Sequence, residues 1–93
     1  MRLYISAPIT GQEATAEQRF AEAEAELISL GHIPLNPYRE NKGFTNWGDA
    51  ILSDLRLLKH CDGLVQLEGW EHSRGCRIEA DFASGINIPI YKL

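Results

Sequence analysis

Two acidic residues stand among apolar neighbours in segments that the sequence predicts to be helical. In the stretch "SRGCRIEADFA", helical spacing puts Glu79 inside the arc formed by Ile78 and Phe82. Asp54 takes the same kind of position in the preceding helix, near the middle of an arc that includes Leu58. A carboxylate on a packing face loses hydration, so it needs hydrogen-bond partners, a raised pKa or a cavity to face.

Two inward carboxylates suit chemistry in which one is ionised and the other donates a proton. Each acid also has a structural alternative. Asp54 could cap or pair with a loop amide, and Glu79 could form a buried ion pair with Arg74 or Arg39. The occurrence of both acids beside a predicted ligand crevice favours the functional interpretation.

The elements that would position these acids alternate along the chain. Strands are predicted over 1–6, 32–36, 62–67 and 87–93, and helices over 15–30, 47–60 and 74–84. Thr15 with Gln18 suits a capping box, Ser73 suits an N-cap, and Gly31 and Gly85 suit helix ends. This order predicts one α/β domain over 1–93, a small Rossmann-like or flavodoxin-like three-layer sandwich with a four- to five-stranded parallel sheet.

Ligands of such folds bind outside the carboxyl ends of the strands, at the switch point in strand order, which here means loops 6–14, 35–46 and 67–73. Tyr4, near the end of the first strand, is placed to reach Glu79, although a core aromatic residue is the alternative. Trp47 and Trp70 flank this edge as candidate ligand contacts, with packing as the alternative. Ser73 and Gly75 begin the last helix, where free N–H groups favour an anion.

Composition excludes several classes of protein. A net charge of −4 argues against a nucleic-acid polymer as partner. The absence of a long apolar run and of a signal-peptide pattern leads us to expect a cytoplasmic chain with Cys61 and Cys76 as free thiols. No pair of His and Cys residues has metal-ligand spacing, so no metal is expected. Cys76, near a helix N-terminus, is a weaker candidate nucleophile with a lowered pKa.

The whole set of motifs resembles the nucleoside 2-deoxyribosyltransferase-like superfamily. The matching stretches are "YISAPITG" at 4–11, "LNPY" at 35–38, "DLRLLKHCDGLVQL" at 54–67 and "SRGCRIEADFA" at 73–83. They cover nearly the whole chain in the order of the family, and they look most like its small bacterial and phage branch.

The resemblance implies roles for individual residues. Glu79 matches the nucleophile, Asp54 the aspartate that contacts the leaving base, and Tyr4 the tyrosine that positions the nucleophile. Substrate contacts are expected from Ser6, Pro8, Gly11, Asn36, Trp47, Trp70, Ser73 and Gly75. The implied reaction is cleavage or transfer of the N-glycosidic bond of a (deoxy)nucleoside or its 5′-monophosphate, without a cofactor, by a homo-oligomer.

Two departures from the family pattern matter for substrate and activity. Ser73 stands where deoxyribosyltransferases commonly carry aspartate, and the deoxynucleoside 5′-monophosphate N-glycosidases carry serine there for phosphate, which favours a nucleotide. Many members continue past the last strand and complete a neighbour's site, whereas this sequence stops at Leu93, so we expect either that the adjacent subunit contributes a different segment or that the site is more open. "SRGCRIE" also resembles a segment of NAD-cleaving Toll/interleukin-receptor-like domains. An NAD N-glycohydrolase, a non-catalytic nucleotide-binding module and an interaction protein with a decayed site remain alternatives.

Overall fold

A four-stranded, all-parallel sheet forms the centre of the computed structural model, which describes residues 1–41 and 43–93. The strands are β1 (Arg2–Ser6), β2 (Ile33–Leu35), β3 (Gly63–Gln66) and β4 (Ile90–Lys92), in the order β2-β1-β3-β4. The helices are α1 (Glu13–Ser29), α2 (Pro37–Glu40), α3 (Trp47–Lys59) and α4 (Arg74–Gly85), and a 3-10 turn spans Trp70–His72. The predicted Rossmann-like α/β fold is therefore confirmed, with four strands.

Side chains of β1 alternate between the two faces of the sheet, as the two-residue period of a strand requires. Leu3 and Ile5 pack with Phe20 of α1 on one face. Tyr4 packs with Leu58 of α3 on the other face. The sheet is thus sandwiched between α1 and the pair α3 and α4, and β1 carries its polar groups on the α3 and α4 side.

The strand order creates the crevice. From β1 the chain passes through α1 to β2 on one side, and from β3 it passes through α4 to β4 on the other. The loops that follow β1 and β3 therefore diverge, and a gap opens at the carboxyl ends of these two neighbouring strands.

Several predicted helix ends need correction. The capping box at Thr15 is wrong, because α1 already begins at Glu13 and the side chain of the preceding Gln12 makes no capping hydrogen bond. Gly31 does take the left-handed conformation (φ 85°) just after α1. Gly85 is not the stop of α4, which includes it; Asn87 (φ 63°) takes the left-handed position instead.

The long polar loop predicted after β2 contains a short helix. Asn36 accepts a hydrogen bond from the Arg39 N–H, and Pro37 occupies the first helical turn, where its missing N–H costs nothing. Lys42, which the prediction places in this loop, lies outside the described residues. None of the helices in the described ranges combines the length and apolar character needed to cross a bilayer.

Candidate active site

A cleft of about 440 Å³ opens at the carboxyl ends of β1 and β3. Residues from the loop after β1, from α3 and from the start of α4 line it, and the polar or functional ones among them are Thr10, Trp47, Asp54, His72, Ser73, Arg74, Gly75, Cys76 and Glu79. Its size falls in the range of small-molecule sites. The structure thus brings the two inward carboxylates predicted from the sequence into one cavity.

Glu79 is held by both of its oxygens. Its side chain is 5% exposed. The Tyr4 hydroxyl donates to Oε2 at 2.5 Å, and the Ser6 hydroxyl donates to Oε1 at 2.7 Å. Tyr4 and Ser6 are two residues apart on β1, so both hydroxyls point to the same face of the sheet. The alternative of an ion pair to Arg74 or Arg39 does not occur, since Arg39 pairs with Glu24 and neither arginine contacts Glu79 in the described residues.

Burial dominates the ionisation of Glu79. Removal from water raises the pKa of Glu79 to about 8, the hydrogen bonds from Tyr4 and Ser6 oppose the rise, and the negative charge of Asp54 adds to it. Burial and the charge of Glu79 raise the pKa of Tyr4 well above its usual value. The tyrosine therefore remains a neutral hydrogen-bond donor.

The Asp54 side chain extends from α3 into the cleft that Glu79 also lines. It is half-buried, and Asn41 donates a side-chain hydrogen bond to its Oδ1, so Asp54 does pair with a loop amide, as its structural alternative proposed, while it also faces the cleft. Burial raises the pKa of Asp54 to about 6, while the hydrogen bond from Asn41 and the nearby polar side chains of Glu79 and Tyr4 oppose the rise. Between pH 6 and 8 the pair therefore carries about one proton, the arrangement expected of neighbouring acids that cannot both ionise.

The mouth of the cleft is formed where α3 and α4 begin. The guanidinium of Arg74 lies 4.4 Å from the ring centre of Trp47, a cation–π contact. A Cβ atom on Gly75 would lie only 3.2 Å from Cδ1 of Ile51. Ser73 caps α4 by accepting a hydrogen bond from the Cys76 N–H, and its side chain also faces the cleft.

Other predicted substrate contacts lie elsewhere. Ser6 and Asn36 are buried and engaged with Glu79 and the α2 backbone respectively, so neither lines the cleft. Pro8 is buried near Gly69 and does not line the cleft. Gly11 is an exposed turn residue (φ 84°). Trp70 lines a different pocket, on the far flank of α4.

Burial disfavours the thiolate form of both cysteines, although Cys76 lines the cleft. Burial raises the pKa of Cys76, which corrects the expectation of a lowered value at the helix N-terminus. Burial also raises the pKa of Cys61 to about 11. Both are free thiols. Across the described ranges, no three His, Cys, Asp or Glu residues are grouped as metal ligands.

Two residues that the sequence did not single out support the site. Asn41 bonds to both Asp54 and Ser53 and so anchors the loop after α2 to α3. Arg19 of α1 donates to Gln12 after β1 and to the carbonyl of Glu68 after β3, each at 2.6 Å. The Arg19 guanidinium therefore ties together the two loops that diverge at the switch point. Neither contact has a local sequence signal.

Comparison with known proteins places the chain in a family. The family model described as "Domain of unknown function (DUF4406)" matches residues 1–92. The chain belongs to the DUF4406 family. No curated protein matches it significantly.

Solved structures show the fold that this DUF4406 chain shares. A 2-deoxyribosyltransferase from Bacillus psychrosaccharolyticus superposes with a TM-score of 0.75 at 18% identity, covering 99% of this chain and 71% of that one. A 2-deoxyribosyltransferase from Leishmania mexicana gives a TM-score of 0.77 at 16% identity, covering 99% of this chain and 63% of that one. The DUF4406 chain therefore has the nucleoside 2-deoxyribosyltransferase-like fold expected from its motifs, and it spans less than two thirds of the second relative.

Proposed function

We propose that this protein cleaves or transfers the N-glycosidic bond of a (deoxy)nucleoside or (deoxy)nucleoside 5′-monophosphate through a covalent glycosyl-enzyme on Glu79. The observation that carries the proposal is the buried Glu79 carboxyl, fixed through both oxygens and next to Asp54 at the base of a nucleoside-sized cleft. Pairs of carboxyl groups with separated pKa values are the usual machinery of glycoside cleavage. Likeness in fold to two 2-deoxyribosyltransferases supports the same reaction class.

The shared proton defines the first step. The raised pKa values of the neighbouring Glu79 and Asp54 carboxyls leave one proton on the pair in the resting site. Transfer of this proton to Asp54 makes Glu79 a carboxylate. One Glu79 oxygen then attacks the anomeric carbon as the bond from that carbon to the base nitrogen breaks, and Asp54 gives its proton to the departing base.

The second step reverses the roles. Asp54, now ionised, takes a proton from water or from an acceptor base. The deprotonated acceptor attacks the anomeric carbon, and the bond to Glu79 breaks. Two displacements at one carbon retain its configuration. Carboxyl groups supply both the nucleophile and the acid, so no step of this reaction requires a cofactor.

The surrounding residues have supporting roles in this proposal. Tyr4 and Ser6 hold the Glu79 carboxylate in line and stabilise its charge as it forms. Asn41 orients Asp54. At the mouth, Ser73, the first N–H groups of α4 and Arg74 form a positive edge for a 5′-hydroxyl or 5′-phosphate, and Trp47 offers an aromatic face to the substrate.

The decisive test uses Glu79→Gln, which keeps the shape of the side chain and removes its charge. Wild-type protein is incubated separately with deoxynucleosides, deoxynucleoside monophosphates and NAD, and released base is measured by chromatography. We expect Glu79→Gln to lower base release by on the order of a thousandfold or more. Glu26→Gln, an exposed glutamate on α1, serves as the matched control and should behave like wild type.

The same assay separates the alternatives. Equal base release by Glu79→Gln and wild type would remove Glu79 as nucleophile. Release of nicotinamide from NAD alone would favour an NAD N-glycohydrolase. Saturable nucleotide binding without release from any substrate would favour a binding module.

We also propose that the active form is a homo-oligomer. Large apolar side chains stay exposed on α3 and on the segment before it, namely Phe44, Trp47 and Leu52, and Trp47 also lines the cleft. Cover by a second copy would shield them and narrow the open end of the cleft. The cytoplasmic location expected from the sequence stays a prediction.

A further inference from the structure

A second pocket lies on the other flank of α4, between that helix and β4. Its volume is about 470 Å³, and it shares no lining residue with the active-site cleft. Its polar and aromatic walls come from Gln66 at the end of β3, from Trp70 in the following turn, and from Arg77, Asp81 and Ser84 on one side of α4. The proposed reaction uses none of these side chains.

Gln66 is the unusual feature of this pocket. The residue is 5% exposed, yet its side-chain amide forms no hydrogen bond within residues 1–41 and 43–93. In the same ranges no polar side-chain atom that is sealed from solvent lacks a partner. The amide must therefore open into free space, and the pocket is the space that Gln66 lines.

The position of Gln66 fixes the direction of its amide. Gln66 pairs in register with Ser6, and Leu64, two residues earlier, faces the core under α3 and α4, so Gln66 points toward α4 as well. Because the residue is otherwise buried, its amide meets water only through the pocket that it lines. A ligand that enters the pocket can replace this water and bind both the donor and the acceptor of the amide.

The chemistry of the pocket narrows the class of that ligand. A carboxamide presents one acceptor and one donor side by side, which matches the paired donor and acceptor edge of a nucleobase. The half-buried Trp70 adds an aromatic wall on which a planar ring can stack. Arg77 and Asp81, four residues apart on α4, form no ion pair in the described chain. Both are free to meet the substituents of a heterocycle.

We propose that this pocket is a second binding site, separate from the catalytic cleft, for a nucleobase, either free or as a nucleoside. Gln66 pairs with the edge of the base and Trp70 stacks on its face. The inference stands on residues outside the cleft, so it holds or fails independently of the proposed glycosidic activity.

Nuclear magnetic resonance can test the proposal residue by residue. Adenine, adenosine, uracil and uridine are titrated separately into isotope-labelled protein. We expect saturable shifts of the Gln66 side-chain amide and of the Trp70 indole N–H with at least one base series. Comparison of the dissociation constants of base and nucleoside then identifies the form that the pocket prefers.

Variants separate this pocket from the cleft. Gln66→Met keeps the volume of the side chain and should weaken binding, read at the Trp70 indole, by roughly tenfold. Trp47→Phe alters the cleft and should leave that binding unchanged. If Gln66→Met does not fold, Asp81→Asn and Arg77→Gln, both on the exposed wall, should each shift the midpoint of the titration.

Three results would overturn the proposal. One is shifts confined to the cleft, at Trp47 and Ser73, with every probe. Another is titration at the Trp70 indole that Gln66→Met, Asp81→Asn and Arg77→Gln all leave unchanged. The third is linear, unsaturable shifts at Gln66 and Trp70 for all four probes.

Discussion

The Glu79 and Asp54 carboxyls are held in an environment that disfavours their charge. Glu79 is nearly inaccessible to water, and within residues 1–41 and 43–93 its hydrogen bonds come from two neutral hydroxyls of β1. No cation contacts either acid among the described residues. The site therefore keeps one proton between two carboxyls near neutral pH, which is the state the proposed reaction requires.

This arrangement predicts that the protein loses stability as pH rises. The folded-state pKa values of about 8 for Glu79 and about 6 for Asp54 lie above their ordinary values of 4.5 and 3.8. The folded protein thus binds protons more tightly than the unfolded chain, and this contribution is complete below pH 4 and is lost as pH rises through 6 and 8. We expect denaturant unfolding to show a loss on the order of 2–5 kcal/mol from pH 5 to pH 9.

Glu79→Gln identifies the group responsible. This variant should flatten most of the pH dependence and should be more stable than wild type at pH 9, while Glu26→Gln should follow the wild-type curve. A wild-type free energy of unfolding that rises or stays level between pH 6 and 9 would contradict the raised pKa values.

Sequence predicted the inward direction of both acids because helical phase depends only on local spacing. It offered a loop amide as a partner for Asp54 but did not single out Asn41. That contact depends on how the segment after β2 folds, and its short helix α2 has too few residues to show a period. Ser6 was predicted as a substrate contact, and its role as a hydrogen-bond donor to Glu79 was not predicted. That contact depends on which strand faces α4.

At the level of elements, the site depends on how closely the first turns of α3 and α4 approach each other. Gly75 permits this approach, since Ile51 and Trp47 of α3 lie against its Cα and all three line the cleft. Gly85, the last residue of the same helix, has no neighbouring atom within 4 Å of where a Cβ would stand. A substitution at Gly75 therefore tests the packing of α3 against α4, whereas a substitution at Gly85 tests helix propensity alone.

Alanine substitutions at these two positions should give different results. Gly85→Ala should stabilise the protein by about 0.5 kcal/mol, because alanine is the better helix former and has space there. Gly75→Ala should gain less or lose stability, since Ile51 must move by a few tenths of an ångström, and it should weaken substrate binding by narrowing the mouth. Thermal unfolding and KM measure the two effects; equal gains in Tm with unchanged KM would contradict this packing role.

Helix interiors were predictable and helix ends less so. The apolar period placed all three long helices, but α1 starts two residues before Thr15 because its first turn is closed by backbone bonds to Gln12 rather than by a side-chain cap. At the end of α4, Asn87 takes the left-handed position that Gly85 was expected to take. Several residues can end a helix, and tertiary packing selects among them.

At the level of the whole molecule, strand order determines where ligands can bind. The alternation of strands and helices was sufficient to predict a parallel sheet and a crevice at its carboxyl edge. It was not sufficient to predict which side of α4 each loop residue faces. Trp70 follows β3 at the expected edge, yet the 3-10 turn directs it to the second pocket, away from Glu79.

The exposed apolar residues of α3 lead to a prediction about assembly. Of the apolar residues of α3, only Leu58 is fully buried, and Leu52 is 57% exposed. A stable interface buries about 800 Å² on each partner and is centred on apolar side chains. We therefore expect sedimentation at about twice the mass of one chain for wild type, and dissociation for Leu52→Lys, because a charge in the centre of such an interface has no partner.

Ile28→Lys, a comparably exposed position on α1, is the control and should leave the assembly intact. A wild-type protein that sediments as a single chain would remove the homo-oligomer, and dissociation by Ile28→Lys alone would move the interface to the α1 side of the sheet.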